Sequence, residues 1–219
     1  MRSDIKLFNM DCMEALREME DNQFDLAIVD PPYGIGASEK NSTTKMQSRS
    51  SATCSTSYGN QKWDDAVPDG EYFDQIKRVS KKQIIWGANF FGLSGGMLFW
   101  DKAVTMPTYS SGELAWLSWK QSIDYYKFDW HGMIQKDMKN KEHRIHPTQK
   151  PVALYKWLLQ KYAQEGDKIL DTHTGSASIA IACHDAGYDL TGYELDEDYF
   201  KAALHRLETH RKQGQFEFA

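Results

Sequence analysis

Strands that alternate with helices along the whole chain predict an α/β fold: one open, mostly parallel sheet flanked by helices. Three observations carry this expectation. Short apolar runs stand at 5–8, 24–29, 83–86, 97–100, 114–117 and 168–170, each bounded by polar or turn residues. Between several of them apolar residues recur at helical spacing. The most polar clusters of the chain fall at the ends of those runs, where an open α/β sheet binds its ligands. With 219 residues, 41% hydrophobic and 13% aromatic, the chain is long and apolar enough for one compact domain, and a mainly disordered chain is excluded.

The elements follow in order. Ile5, Leu7 and Phe8 mark a first strand, and Met13, Leu16 and Met19 a short helix ending near Asp21 and Asn22. The apolar run 24–29 stops at Asp30-Pro31-Pro32-Tyr33, because two consecutive prolines cannot continue a central strand. Residues 37–58 contain eleven Ser or Thr in twenty-two positions and read as a long mobile loop. Tyr72, Phe73, Ile76 and Val79 then form an amphipathic helix, followed by three strands at 83–86, 97–100 and 114–117. Residues 119–146 read as irregular, aromatic and basic. Pro151 opens a helix where a missing N–H costs nothing, with Val152, Tyr155, Leu158, Leu159 and Tyr162 on its apolar side. A strand at 168–170, a turn at Gly175-Ser176, a helix stopped by Gly187 and a strand at 188–194 come next. The last helix carries Asp196, Glu197 and Asp198 in its first turn, with Arg206, His210, Arg211 and Lys212 toward its end, matching the helix dipole.

The formal charge is −5, but its sign is uneven: residues 38–62 and 127–150 each carry +3. Basic islands on an acidic body suit a local phosphate footprint. Cys12, Cys54 and Cys183 form no close pair, which argues against a disulfide framework or a zinc knuckle and for a reducing, cytoplasmic setting; no metal is expected. No run of about 18 apolar residues or signal-type start is present, so membrane spanning and export are not expected.

Chemistry concentrates at three strand ends. The turn Asp171-Thr172-His173-Thr174-Gly175-Ser176 precedes a helix N-terminus, whose free N–H groups favour an anion. Glu194 ends the following strand, some twenty residues on, and the pair follows the logic of an adenosyl cofactor, with a carboxylate accepting ribose hydroxyls. At Asp30-Pro31-Pro32-Tyr33 a carboxylate and the Pro31 carbonyl can accept both N–H bonds of an amino group on a nucleobase. That amine is a poor nucleophile while its lone pair is delocalised into the ring, and Tyr33 offers a face for a flat ring.

These residues, with His146-Pro147-Thr148-Gln149-Lys150-Pro151 and Gly192-Tyr193-Glu194-Leu195-Asp196, resemble the S-adenosylmethionine-dependent DNA amino-methyltransferases. The order resembles the beta group, in which the catalytic motif precedes the cofactor motif, and the chain looks most like small phage or prophage members. The resemblance spans about residues 5–207. It implies a Rossmann-like methyltransferase sheet with circularly permuted motif order. The catalytic region would lie in 1–118, small recognition insertions at about 34–68 and 119–146, and the cofactor half at 147–219. It further implies that Asp11 approaches the cofactor adenine and Glu194 its ribose. Gly175, Ser176, Asp171 and His173 would surround the methionine portion, with Thr148 and Lys150 near its carboxylate. Two departures stand out: Ala177 where relatives have a second glycine, its methyl expected to weaken cofactor affinity, and Thr172-His173 where many have Pro-Phe.

The implied reaction swings the target base out of double-stranded DNA, holds its amino group on Asp30 and Pro31 and stacks it on Tyr33 before methyl transfer. No cysteine follows a proline, so carbon-5 cytosine methylation is disfavoured. Adenine N6 is preferred because Asp heads the motif, and cytosine N4 shares the chemistry. Amino-methyltransferases of RNA or of protein glutamine carry a similar motif but usually in the opposite order, and a catalytically degenerate DNA-binding homologue is a non-enzymatic alternative. Trp119, Tyr125, Tyr126, Phe128 and Trp130 beside Lys136, Lys139, Lys141 and Arg144 are the candidates for stacking and phosphate contact, although about half of those aromatics suit a core instead. So little protein to grip a duplex, together with the resemblance, implies a homodimer, of the kind found in restriction-modification systems.

Overall fold

The computed structural model describes residues 3–35, 67–103, 110–130, 135–139 and 141–216. Its elements are β1 (Ile5–Asn9), α1 (Cys12–Glu18), β2 (Phe24–Val29), α2 (Gly70–Val79), β3 (Ser80–Trp86), β4 (Gly96–Asp101), β5 (Gly112–Leu117), β6 (Ile123–Lys127), α3 (Val152–Tyr162), β7 (Lys168–Asp171), α4 (Ser178–Ala186), β8 (Asp189–Glu194) and α5 (Glu197–Phe216). The loop expected over 37–58 lies outside the described residues.

Eight strands form one sheet in the order β1-β8-β7-β2-β3-β5-β4-β6. From β1 to β3 all neighbours are parallel, β5 runs antiparallel to both β3 and β4, and β6 returns parallel to β4. The open, mostly parallel sheet expected from the sequence is therefore present, with a mixed edge. β6 corrects the expectation that 119–146 is wholly irregular. Its residues alternate between exposed and half-buried over only five positions, with Ile123 and Tyr125 on the exposed side, so no apolar period stands out in the sequence.

Alternation along β2 divides the core. Leu26 and Ile28 face one layer, where they pack with Leu154, Leu158 and Leu159 of α3, Ile179 and Ala182 of α4 and Ala203 and Leu207 of α5. Ala27 and Val29 face the other, with Leu16 of α1 and Tyr72, Ile76 and Val79 of α2. A central strand buried on both faces must read as a continuous apolar run, and 24–29 does.

The helix ends are set locally. Asp11 caps α1, its Oδ1 accepting from the Met13 N–H at 2.8 Å, and Asp69 caps α2 through Tyr72 N–H at 3.1 Å. Pro151 is the residue before α3 rather than its first helical position, and Gly187 ends α4 in the left-handed conformation. Arg206 departs from its expected place. α5 continues to Phe216, so this arginine lies mid-helix and turns inward, where it ties down the turn before α4 instead of complementing a dipole.

Candidate active site

Because β1, β8, β7 and β2 are parallel neighbours, Asp11, Glu194, Asp171 and Asp30 all come to the same edge of the sheet, although up to 183 positions separate them in the chain. A cavity of about 530 Å³ opens there, bounded by Asp11, Asp30, His146, Thr148, Lys150, His173, Gly175, Ser176 and Glu194. Asp196 and Glu197 also reach it, so five carboxylates face it against one lysine. That balance favours a ligand carrying positive charge.

The turn before α4 is held from two sides. Glu194 Oε2 accepts from the Gly175 N–H at 2.8 Å and its Oε1 from Asp196 N–H at 3.0 Å. Arg206 donates to the Ser176 carbonyl at 2.7 Å and to Ser178 Oγ at 2.9 Å, and its other nitrogen meets Glu142 Oε2 at 2.7 Å. Gly175 adopts φ +51°, and Ala177 follows at φ +59°. The methyl expected to crowd a ligand does not reach it: Ala177 is fully buried in the core beneath the turn, while Gly175 and Ser176 line the cavity.

Burial fixes the charge states around this cavity. It drives His146 down to about 3, with Lys150 and Arg144 pushing the same way, and His173 down to about 4, so both imidazoles are neutral near pH 7. Burial also lifts Asp171 to about 8, against the one hydrogen bond it accepts from His173 N–H at 3.0 Å. Asp171 lies behind the turn and is not on the cavity wall, whereas His173 is on it, its Nδ1 2.9 Å from Thr172 Oγ1.

A second cavity, about 550 Å³, lies beside the first and is bounded by Pro31, Tyr33, Asn89, Phe90, Ser111 and Glu113. Asp30, Pro32, Thr148 and Lys150 line both. Tyr33 donates to Asp30 Oδ1 at 2.6 Å, and one face of its ring is covered by Phe90 at 4.9 Å between centroids. The buried Lys150 ammonium bonds Asp30 Oδ2 and lies 3.0 Å from Glu113 Oε2. Lys102 bonds the other Glu113 oxygen, so charges of alternating sign run Lys102, Glu113, Lys150, Asp30. Burial opposes ionisation of Glu113, but Lys150 and Lys102 outweigh it and bring its carboxyl down to about 2. Burial likewise works against the Lys150 charge, yet Asp30 and Glu113 hold its pKa above the ordinary value.

The candidate catalytic and cofactor-binding residues thus gather at this edge of the sheet, whereas Trp119, Tyr126, Phe128 and Trp130 pack into the core and line neither cavity. Lys150 is set apart from its expected place: its ammonium is committed to Asp30 and Glu113. Lys102 and Glu113 escaped sequence reasoning altogether, since a lone acid opening an apolar strand and a lone lysine closing another carry no spacing signal.

Gly87 makes the Tyr33 position available. Its φ is +77°, and a Cβ there would fall 2.3 Å from the tyrosine ring. Gly87→Ala is expected to cost about 1–3 kcal/mol through strain and overpacking, lowering the melting temperature by roughly 3–10 °C for a chain of this size. A thermal melt shifted by less than 1 °C would show that the ring does not depend on this gap.

Among the described residues no helix is long and apolar enough to cross a membrane, and no group of three or more His, Cys, Asp or Glu is arranged to hold a metal.

Comparison with known proteins agrees with this geometry. The chain is 26% identical over 208 residues to the Escherichia coli K12 protein named "Putative methylase YubD", covering 90% of this chain and 87% of that one. It is 34% identical to the type II methyltransferase M.HpaI of Haemophilus parainfluenzae, but over 70 residues, 32% of this chain and 22% of that enzyme. Among solved structures, the M1.HpyAVI–SAM complex superposes with a TM-score of 0.59 at 20% identity, covering 93% of this chain and all of that one. The cytosine-N4-specific PvuII DNA methyltransferase superposes at 0.58 and 12% identity, over 94% and 86%. These two likenesses establish the fold. Residues 115–205, from β5 to α5, match the N6/N4 family described as DNA methylase.

Proposed function

We propose that the protein transfers a methyl group from S-adenosylmethionine to the exocyclic N6 of an adenine swung out of duplex DNA. The observation that carries this reading is the pair of cavities sharing Asp30 and Lys150: one acidic and beside the turn that leads into α4, the other flanked by Asp30, Pro31 and Tyr33. The acidic wall fits a sulfonium ligand. Glu194 and Asp11 supply carboxylate acceptors for its adenosine end, and the Thr148 and Ser176 hydroxyls supply donors for its amino-acid end. When bound, the cofactor supplies an electrophilic methyl on a positively charged sulfur.

The remaining steps belong to the chain. Asp30 and the Pro31 carbonyl take the two N–H bonds of the base, which returns the nitrogen lone pair from the ring and aims it. Tyr33 anchors the Asp30 carboxylate, and its ring with that of Phe90 forms the stacking wall, Phe90 being 43% exposed and able to yield its place to a base. With the cofactor bound, Asp30 would take up the surplus amino proton released by methyl transfer and pass it on to solvent. No covalent link to the chain forms, consistent with the burial of Cys12 and Cys183, which holds both thiols above their ordinary range.

Motif order supports the beta group of small, phage-type enzymes, and a homodimer is the proposed assembly on DNA. The likeness to a cytosine-N4 enzyme supports cytosine N4 as a second reading. Incubation of unmethylated duplex DNA with methyl-labelled S-adenosylmethionine, followed by nucleoside analysis, separates them. N6-methyladenosine is expected. N4-methylcytosine alone selects the second reading, and label found only in RNA or protein rejects both.

The buried Ala177 yields a further expectation. Ala177→Gly relieves left-handed strain of about 1–2 kcal/mol but loses a buried methyl and gains unfolded-state freedom of similar total size. Stability should move by less than about 1 kcal/mol and S-adenosylmethionine affinity by less than about two-fold. A ten-fold gain in affinity by calorimetry would show that the methyl does intrude on the cavity.

A further inference from the structure

Both oxygens of Asp30 already accept from a donor. One oxygen accepts from Tyr33 at 2.6 Å and the other is bonded by the Lys150 ammonium. An ammonium in direct contact draws charge out of a carboxylate and competes with an aromatic amine for its lone pairs. Methyl transfer as proposed above is therefore favoured when Lys150 leaves Asp30 as a base arrives. A buried ammonium cannot be abandoned without a counter-charge. Glu113 provides one: its Oε2 already lies 3.0 Å from the ammonium, and its other oxygen is pinned by Lys102. Both carboxylates are within contact distance at once, so the exchange needs only a small rotation at the end of the lysine chain.

We infer that Glu113 is a positioning residue that takes Lys150 over from Asp30 as the target amino group docks, freeing Asp30 to accept from that amine. This rests on the reading of the second cavity as the base site.

Glu113→Gln removes the receiving charge and keeps the shape. Lys150 then stays on Asp30, and kcat near pH 7.5 is expected to fall roughly 10- to 100-fold, the range for one charged hydrogen bond. KM for DNA and the affinity for S-adenosylmethionine should stay within about two-fold. The discriminating readout is the pH profile. Having lost one of its two carboxylate partners, Lys150 in the variant deprotonates at lower pH than in the wild type, releases Asp30 and restores activity as pH rises through an alkaline window. The other groups around Lys150 do not produce such a rise. Tyr33 and Tyr155 are held well above their ordinary range, His146 is neutral throughout, Lys102 touches only the lost carboxylate, and Asp171, at about 8, is ionised below that window.

Wild-type activity with a Glu113→Gln profile that is uniformly lowered, unchanged or altered in KM overturns the inference and leaves the proposed function standing. A wild-type protein without DNA methylation activity overturns both. Independently of the variant, a crystal structure of the wild type with S-adenosylhomocysteine and a duplex bearing a flipped base should show Lys150 Nζ bonded to Glu113 and more than about 3.5 Å from Asp30. Lys150 still on Asp30 with the amine in place rejects the exchange.

Discussion

Asp30→Ala should abolish methyl transfer, with kcat reduced by roughly 10³-fold or more, the scale for removing a charged group aimed at a reacting centre. The aromatic amine then keeps its lone pair in the ring, and nothing in the second cavity replaces the acceptor: Glu113 is bound by two lysines and Tyr33 presents a donor. Asp30→Asn should lie between, since its carbonyl can accept one N–H while its amide repels the other. Cofactor affinity should change by less than about three-fold in either variant, because Glu194 and the turn at Gly175 hold their geometry without Asp30. Single-turnover rates with labelled cofactor, in the order wild type, Asn, Ala, check this. An alanine variant retaining a tenth of the wild-type rate would remove Asp30 from the chemistry.

How much of this site could be read in the sequence follows from the range of each interaction. Asp30-Pro31-Pro32-Tyr33 and the turn at Gly175 are local signals, because prolines stop a strand and a helix must start somewhere. The central strand was legible for the same reason, as burial on both faces of a parallel sheet demands an unbroken apolar run. β6 was not, since a short edge strand with alternate residues exposed lacks both length and composition. Long-range electrostatics were least legible. Lys150 meets Glu113 only because β5 enters the sheet antiparallel beside β3, a pairing no local pattern announces. Arg206 reads as a solvated helix-end charge until the length of α5 and the position of Glu142 are known. Ala177 shows the reverse error: the residue type was right to notice, but which way its methyl pointed depended on the left-handed backbone before α4.

Lys150→Met should strongly destabilise the fold. Its ammonium is buried between two carboxylates and over the Trp86 ring at 5.1 Å. Methionine fills much the same volume, so the cost is electrostatic: Asp30 and Glu113 lose their shared cation, and breaking a buried pair in this way costs about 3–5 kcal/mol. For a chain of this size that corresponds to a melting temperature lower by roughly 6–20 °C near neutral pH. The sign with pH follows from Glu113. In the wild type its carboxyl is held at about 2, below the unfolded value of 4.5, which stabilises the fold above pH 4.5, and this contribution fades as pH falls toward 2. In the variant, burial acts on Glu113 with only Lys102 to oppose it, so its pKa rises and much of that contribution is absent. The deficit against wild type should therefore be largest above pH 6 and shrink toward pH 4, where a proton can stand in for the missing ammonium. Urea unfolding of both proteins at pH 4.5 and 7.5 measures it. A deficit equal at the two values, or larger in acid, would mean that packing around the lysine stem, and not the charge it shares between Asp30 and Glu113, is what the fold relies on.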